Sequence, residues 1–273
     1  MTLTLEVQNK LKALELELTK LPGLVIGFSG GVDSSLLVTV AHEVLGNKML
    51  AVTIDSVFCP RREMAEATQI AQLKGIEHQI VNLNPLVDKT VAANPPERCY
   101  YCKKLVFSKL VEIAQEKGFT YIADGSNVDD DQDYRPGMKA LKELKVISPL
   151  KMAGLSKVDI RAISEALQLP TWQKESAACL ASRIPYGEEI TEKKLRQIEA
   201  AEEALSPLNL SHLRVRLHGT IARIEVGQED FAKIMAPQTR QSVVEDLKKL
   251  GFQYITLDLE GYRMGSLNEL LHK

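Results

Sequence analysis

The segment from Leu24 to Leu45 constrains the fold more than any other part of the chain. Leu24 to Phe28 is a short apolar run carrying β-branched residues, it breaks at Ser29-Gly30-Gly31, and the helical pattern Leu36 to Leu45 follows at once. A buried strand turning through glycines into a helix is the first half of a parallel crossover unit. The same alternation continues. Met49 to Ile54 reads as a second strand, Arg61 to Leu73 as a helix ending at Gly75, and His78 to Leu83 as a third strand. Cys102 to Lys117 reads as a helix capped by Gly118, and Thr120 to Ala123 as a fourth strand. An amphipathic helix spaced by Leu3, Val7, Leu11, Leu14 and Leu18 precedes them all and stops at Pro22-Gly23. The expected class is α/β: an open parallel sheet with helices on both faces and right-handed crossovers.

The pattern changes after Pro149. Ser156 starts a helix presenting Ile160, Ile163 and Leu167, and a small-residue loop, Ser176 to Ser182, leads to Pro185-Tyr186-Gly187. Thr191 caps a long charged helix. Two strands, Leu213 to Leu217 and Ile221 to Val226, flank His218-Gly219-Thr220, and a helix from Arg240 to Leu250 and a strand from Tyr254 to Leu259 follow. This second part is a smaller α/β unit, and the expected boundary divides residues 1–184 from 185–273. A length of 273 residues suits two domains.

Composition narrows the function classes. With 34 Lys and Arg against 36 Asp and Glu, the formal charge of −2 creates no field that attracts nucleic acid over the whole surface. No apolar run approaches the roughly 18 to 20 residues that cross a bilayer. The charged start, with Glu6, Lys10, Lys12, Glu15 and Glu17, is not that of a signal or transit peptide. A cytoplasmic globular protein is expected, and a reducing compartment would keep its four cysteines as thiols.

Ser29-Gly30-Gly31-Val32-Asp33-Ser34-Ser35 carries the first chemical signal. Glycines let backbone N–H groups turn inward without a Cβ, and the following helix N-terminus adds partial positive charge. Ser34 and Ser35 add hydroxyl donors, and Asp33 is suited to hold Mg2+ against phosphate oxygens. The competing reading is a glycine turn with a serine cap. No Walker pattern is present. The loop resembles the pyrophosphate loop of the PP-loop ATP pyrophosphatase superfamily, whose members cleave ATP between the α and β phosphates and adenylate an oxygen of a second substrate. Asp124-Gly125-Ser126-Asn127, at the end of the fourth strand, looks like the second nucleotide motif of that group. Asp55, in the turn after the second strand, would lie near the adenosine.

The cysteines carry the second signal. Cys99 and Cys102 form a C-x-x-C, Cys179 stands far downstream, and Cys59, between Phe58 and Pro60, reads as a filler. The spacing alone leaves redox, structural and metal roles open; a zinc finger would need a fourth ligand. Three thiolates around a [4Fe–4S] cluster would leave one iron free for substrate or sulfide.

Further motifs make the resemblance closer. Asp133-Tyr134-Arg135-Pro136-Gly137, Ser182-Arg183-Ile184-Pro185-Tyr186-Gly187, Arg214-Val215-Arg216 and Ile221-Ala222-Arg223-Ile224-Glu225 are similar to the LarE family over nearly the whole chain. That family consists of ATP-dependent sulfur transferases that make the nickel-pincer nucleotide cofactor of lactate racemase, converting both carboxylates of pyridinium-3,5-biscarboxylic acid mononucleotide to thiocarboxylates through acyl-adenylates. One branch sacrifices a single cysteine, at the position that is Ala178 here. The other holds a [4Fe–4S] cluster on three cysteines, and Cys99, Cys102 and Cys179 match it. The resemblance implies that Ser29, Gly30, Gly31, Asp33, Ser34, Ser35 and Gly125 bind ATP and Mg2+. It also implies that Arg214 and Arg216 take the substrate phosphate, with Ser182 beside them and a hexameric assembly. Glu202 is placed either to orient one Arg or as plain surface charge. Asp129, Asp130 and Asp131 read as a helix start or a cation site. tRNA thiolation by a cluster-bearing relative, amide synthesis and a nucleotide sensor with structural cysteines are the alternatives. The absence of a Lys/Arg-rich domain weighs against the first and that of a glutaminase domain against the second.

Overall fold

Strand β1 (Leu24–Gly27) is an inner strand of a four-stranded parallel sheet ordered β3-β2-β1-β4, with β2 (Met49–Asp55), β3 (His78–Asn82) and β4 (Tyr121–Ala123). The computed structural model describes residues 3–132, 136–175, 179–263 and 265–271. Side chains on a strand alternate between faces, and β1 divides its own accordingly. Leu24 and Ile26 join a cluster with Leu14 and Leu18 of helix α1 (Leu5–Thr19) and Leu36 and Leu37 of α2 (Val32–Leu45). Val25 joins Leu50 and Val52 in a second cluster on the opposite face. Both faces of β1 are therefore dry, which is why it reads as an unbroken apolar run. Leu24, Val25 and Ile26 are each 0% exposed.

Helix α3 (Arg61–Lys74) ends where Gly75 takes φ +65°. The short α4 (Lys89–Ala92) comes next, and then α5 (Arg98–Lys117), which puts Phe107, Leu110 and Ile113 into the second cluster. Helix α5 begins four residues earlier than the sequence pattern predicts. Pro95 and Pro96 end just before it, and first-turn N–H groups need no i−4 carbonyl, so a helix can start there without an apolar signal. Cys99 and Cys102 consequently lie within the helix, one turn apart on one face. Helices α6 (Gly137–Glu143), α7 (Pro149–Met152) and α8 (Lys157–Ala166) follow. Ser156 and Asp159 form a capping box at α8, and Lys10 Nζ holds Asp159 at 2.8 Å.

Contacts divide the chain into two compact units: Met1–Pro85 with Glu97–Ala177, and Leu86–Pro96 with Ala178–Lys273. In the second unit β5 (Arg214–His218) pairs antiparallel with β6 (Ile221–Glu225), and β7 (Tyr254–Leu257) lies parallel to β6. Gly219, at φ +58°, makes the tight β5–β6 turn. Helices α9 (Glu192–Leu205), α10 (Phe231–Met235) and α11 (Pro237–Lys249) complete the unit. Leu86–Pro96 is tied in by Asn94, which is fully buried and donates to the carbonyls of Ile184 (3.2 Å) and Pro185 (2.7 Å). Among the described residues, no helix is long and apolar enough to cross a membrane.

One histidine ties the sheet to the glycine turn. Thr53 donates its hydroxyl hydrogen to the Phe28 carbonyl at 2.6 Å, so His78 Nε2, 2.8 Å away, must be the donor to Thr53 Oγ1. The His78 ring meets the Phe28 ring edge-on at 5.5 Å between centroids. Burial pushes the His78 pKa down from its ordinary value. The unfolded chain then takes up a proton more readily than the folded one. His78 thus contributes stability that is full above about pH 6.5 and lost as pH falls through the lower folded value. In thermal melts from pH 8 to pH 5, His78→Gln is expected to flatten part of the acid-side loss of Tm; an unchanged slope would contradict the assignment.

Candidate active site

The turn from β1 into α2 is enclosed by its neighbours. Gly30 has φ +75°, and a Cβ there would stand 2.9 Å from the Glu63 carbonyl oxygen and 3.0 Å from the Ala67 Cβ, so only glycine fits. Ser29 Oγ and Ser34 Oγ lie 3.1 Å apart, and Ser34 Oγ also donates to the Gly31 carbonyl at 3.2 Å. Both hydroxyls thus gather at the N-terminus of α2. Ser35 sits in the same helical turn but is 0% exposed, its hydroxyl buried without a partner among the described residues.

Asp124-Gly125-Ser126-Asn127 is packed against this turn. A Cβ on Gly125 would lie 3.0 Å from the Ser34 backbone nitrogen, so two backbones meet here with no room for a side chain. Asp124 accepts from Ser148 Oγ at 2.6 Å and from Ser126 Oγ, with Lys103 Nζ 3.9 Å away. Asn127 Nδ2 donates to Asp33 Oδ1 at 3.2 Å, and Lys157 Nζ is ion-paired with Asp33 Oδ2. Asp33 is thereby the meeting point of the two motifs. Asp129 and Asp130 shape the turn beside it: Asp130 accepts from Asn127 N, and Asp129 from Lys157 N, at 2.9 and 2.8 Å. The Asp131 side chain lies outside the described residues, as do Asp133, Tyr134, Arg135, Ser176 and Ala178. Asp55 stands at the end of β2, with Arg61 Nη1 at 3.3 Å.

Lys157 was not singled out by the sequence pattern. A lysine in the first turn of a helix opposes the helix dipole, and that mismatch is the signal that could have found it. Here it faces Asp33.

In the second unit, strand periodicity places Arg214, Arg216, Arg223 and Glu225 on one face of β5 and β6. Their environments differ. Arg216 is 6% exposed and forms a fork with Glu225 at 3.1 and 2.9 Å, and it also donates to the Ser182 carbonyl. Arg223 reaches the same Glu225 at 2.7 Å. Glu202 holds Arg183 at 2.8 and 3.1 Å and accepts from the Val215 backbone N–H at 3.0 Å. Arg183, of the Ser182–Gly187 motif, is thus a member of this network. Ser182 Oγ donates to the Cys179 carbonyl at 2.8 Å. Arg214 lies over the Tyr262 ring at 5.3 Å, and burial, then the charge of Arg183, pushes its pKa down. An electropositive, half-buried guanidinium of this kind favours an incoming anion.

Cys99 and Cys102 are half-buried in the first turns of α5, and Arg98 Nη2 donates to Cys99 Sγ at 3.6 Å. Cys179 is exposed at the start of a 3₁₀ turn in the second unit. Within either unit, no three His, Cys, Asp or Glu side chains among the described residues gather as a metal site. The donor chemistry of the three thiols nevertheless fits a soft iron–sulfur centre. Cys59 is half-buried beside Pro60, whose carbonyl lies 3.7 Å from its Sγ.

Residues 6–104 match the NAD synthase family model. The chain is 40% identical to an uncharacterised protein of Synechocystis sp. over 98% of this chain and all of that one. It is 37% identical to the pyridinium-3,5-bisthiocarboxylic acid mononucleotide synthase of Lactiplantibacillus plantarum, covering 97% of this chain and 96% of the synthase. A tRNA-specific 2-thiouridylase of Caldanaerobacter subterraneus is 26% identical over 56% of this chain and 53% of its own. Sheet, loop and family model together define a PP-loop enzyme that uses ATP. Within that class the chain belongs to the LarE family of ATP-dependent sulfur transferases.

The two β5 arginines are expected to behave differently. Arg216→Ala leaves Glu225, 1% exposed, without its fork, and should lower unfolding free energy by about 3–5 kcal/mol. Arg214→Ala should cost no more than about 1 kcal/mol. Equal losses in urea denaturation would contradict this division.

Proposed function

We propose that this enzyme adenylates the carboxylates of pyridinium-3,5-biscarboxylic acid mononucleotide and replaces one oxygen of each with sulfur, giving the bisthiocarboxylic acid mononucleotide used for the nickel-pincer cofactor. The observation that carries the reading is the likeness to the Lactiplantibacillus plantarum synthase over nearly the full length of both chains. The 2-thiouridylase likeness reaches only about half of either chain, and the tRNA reading has no further support.

In the proposed mechanism the turn at Ser29–Ser34 receives the phosphates through backbone N–H groups and the two hydroxyls. Asp33 would hold Mg2+, which would screen the phosphate charge, and Lys157, ion-paired with Asp33, stands within reach of a phosphate oxygen. A substrate carboxylate oxygen attacks the α phosphorus, the bond to the β-phosphate oxygen breaks, and pyrophosphate leaves. Positioned donors lower the barrier by stabilising charge that develops on the phosphates. Arg214 takes the substrate phosphate, while Arg216, Glu225, Glu202 and Arg183 hold the surface that presents it. A [4Fe–4S] cluster on Cys99, Cys102 and Cys179 would supply sulfide at an iron lacking a protein ligand. In the second step a carbon–sulfur bond forms at the adenylated carbonyl carbon as its bond to the adenylate oxygen breaks, and AMP leaves with the original carboxylate oxygen. The protein keeps its own sulfur and can serve both carboxylates of one molecule.

Anaerobic preparations test the sulfur source. Cys99→Ala, Cys102→Ala and Cys179→Ala are each expected to lose bound iron, acid-labile sulfide and thiocarboxylate formation, whereas Cys59→Ala keeps all three. Pyrophosphate release should survive in the four variants. Loss of one H₂S from Cys179 in intact-protein mass spectrometry, with full activity in Cys99→Ala, would overturn the cluster reading.

A further inference from the structure

Lys174 has no part in the mechanism above, yet it is built into the back of the glycine turn. Its ammonium lies 3.0 Å from the Gly30 carbonyl oxygen, 2.6 Å from Glu63 Oε2 and 2.5 Å from Glu66 Oε2. An ammonium has three N–H donors and no acceptor, and three acceptors meet it here. The group is largely enclosed, at 16% side-chain exposure for Lys174 and 12% for Glu63. Arg62 supplies a second positive charge to Glu66 at 2.8 Å. Hydrogen bonds from Lys174 and Arg62 outweigh the burial of Glu66, so its pKa falls below the ordinary value. The lysine is itself fixed at the backbone, because Arg161 donates to the Trp172 and Lys174 carbonyls at 2.6 and 2.7 Å.

We propose that Lys174 is a positioning residue for the pyrophosphate loop: by holding the Gly30 carbonyl it fixes the Gly30–Gly31 peptide with the Gly31 N–H directed at Ser29 Oγ, 3.4 Å away, on the side of the loop hydroxyls. The C=O and N–H of a trans peptide point in opposite directions, so anchoring one aims the other. Two glycines in succession have wide conformational freedom, and at Gly30 the backbone is already at φ +75°. Close packing by Glu63 and Ala67 excludes a side chain at Gly30 but does not set the peptide plane. The three-way clamp does. Glu63 and Glu66 in turn hold the ammonium in place, so the N-terminal half of α3 becomes part of the loop's support. This inference rests on the reading of Ser29–Ser35 as the pyrophosphate loop.

Calorimetry with Mg2+ and two probes, AMP and α,β-methylene-ATP, tests it. Two variants are needed, because Lys174→Met alone leaves two carboxylates facing each other. Lys174→Met combined with Glu63→Gln and Glu66→Gln removes that mismatch while still lacking the ammonium. Both variants are expected to bind AMP as the wild type does and to lose about tenfold or more in affinity for the triphosphate analogue, the equivalent of one charged hydrogen bond. With the acceptor present, kcat for pyrophosphate release should fall while KM for the mononucleotide holds. A triple variant with wild-type triphosphate affinity and kcat would overturn the clamp alone. A triple variant that loses both probes equally, or that does not fold, would also overturn it by making Lys174 merely structural. If wild-type protein itself fails to prefer the triphosphate over AMP, the loop reading and the clamp fall together.

Discussion

The site depends on backbone approaching backbone without side chains between. Gly30 lies against the α3 main chain and Gly125 against the N-terminus of α2, each with no space for a Cβ. These contacts bring the first and second nucleotide motifs together and leave the Ser29 and Ser34 hydroxyls and Asp33 clustered at the helix N-terminus. They are possible because β1 and β4 are adjacent parallel strands, so both turns emerge from the same end of the sheet. That adjacency is secured by the two apolar clusters packed on either face of β1.

Electrostatics organise the second unit in a different way. Arg183, Arg216 and Arg223 are matched to Glu202 and Glu225 inside or near the sheet surface, so most of the positive charge is committed to structure. Arg214 donates to the Leu213 carbonyl at 2.7 Å, and burial, followed by the charge of Arg183, pushes its pKa down. A face rich in arginine therefore does not present its charges equally. The Arg216–Glu225 fork is buried, whereas Arg214 is only partly buried beside the Tyr262 ring.

The α/β class, the four parallel strands and the glycine turn were legible because burial on both faces produces apolar runs, and because Gly30 and Gly125 answer backbone constraints that sequence displays directly. The start of α5 was not legible: its first turn, Arg98 to Tyr101, carries no apolar period, and prolines just before it look like loop. Arg214 and Arg216 could be placed on one face from the strand period, but their unequal burial depends on Glu225, the cross-strand partner of Arg214. Glu202 could be set near the arginines, yet its partner Arg183 comes from a 3₁₀ turn whose direction no periodicity gives. Lys157 and Lys174 were missed for a related reason. Each acts through a charge partner more than a hundred residues away in sequence.

The central claim is that a carboxylate oxygen attacks the α phosphorus and is then displaced by sulfur. Substrate labelled with ¹⁸O in its carboxylates tests this in one measurement, by mass spectrometry of the nucleotide product. The account predicts AMP carrying one ¹⁸O for each thiocarboxylate formed, with unlabelled pyrophosphate released. Unlabelled AMP, or ADP and phosphate in its place, would contradict it.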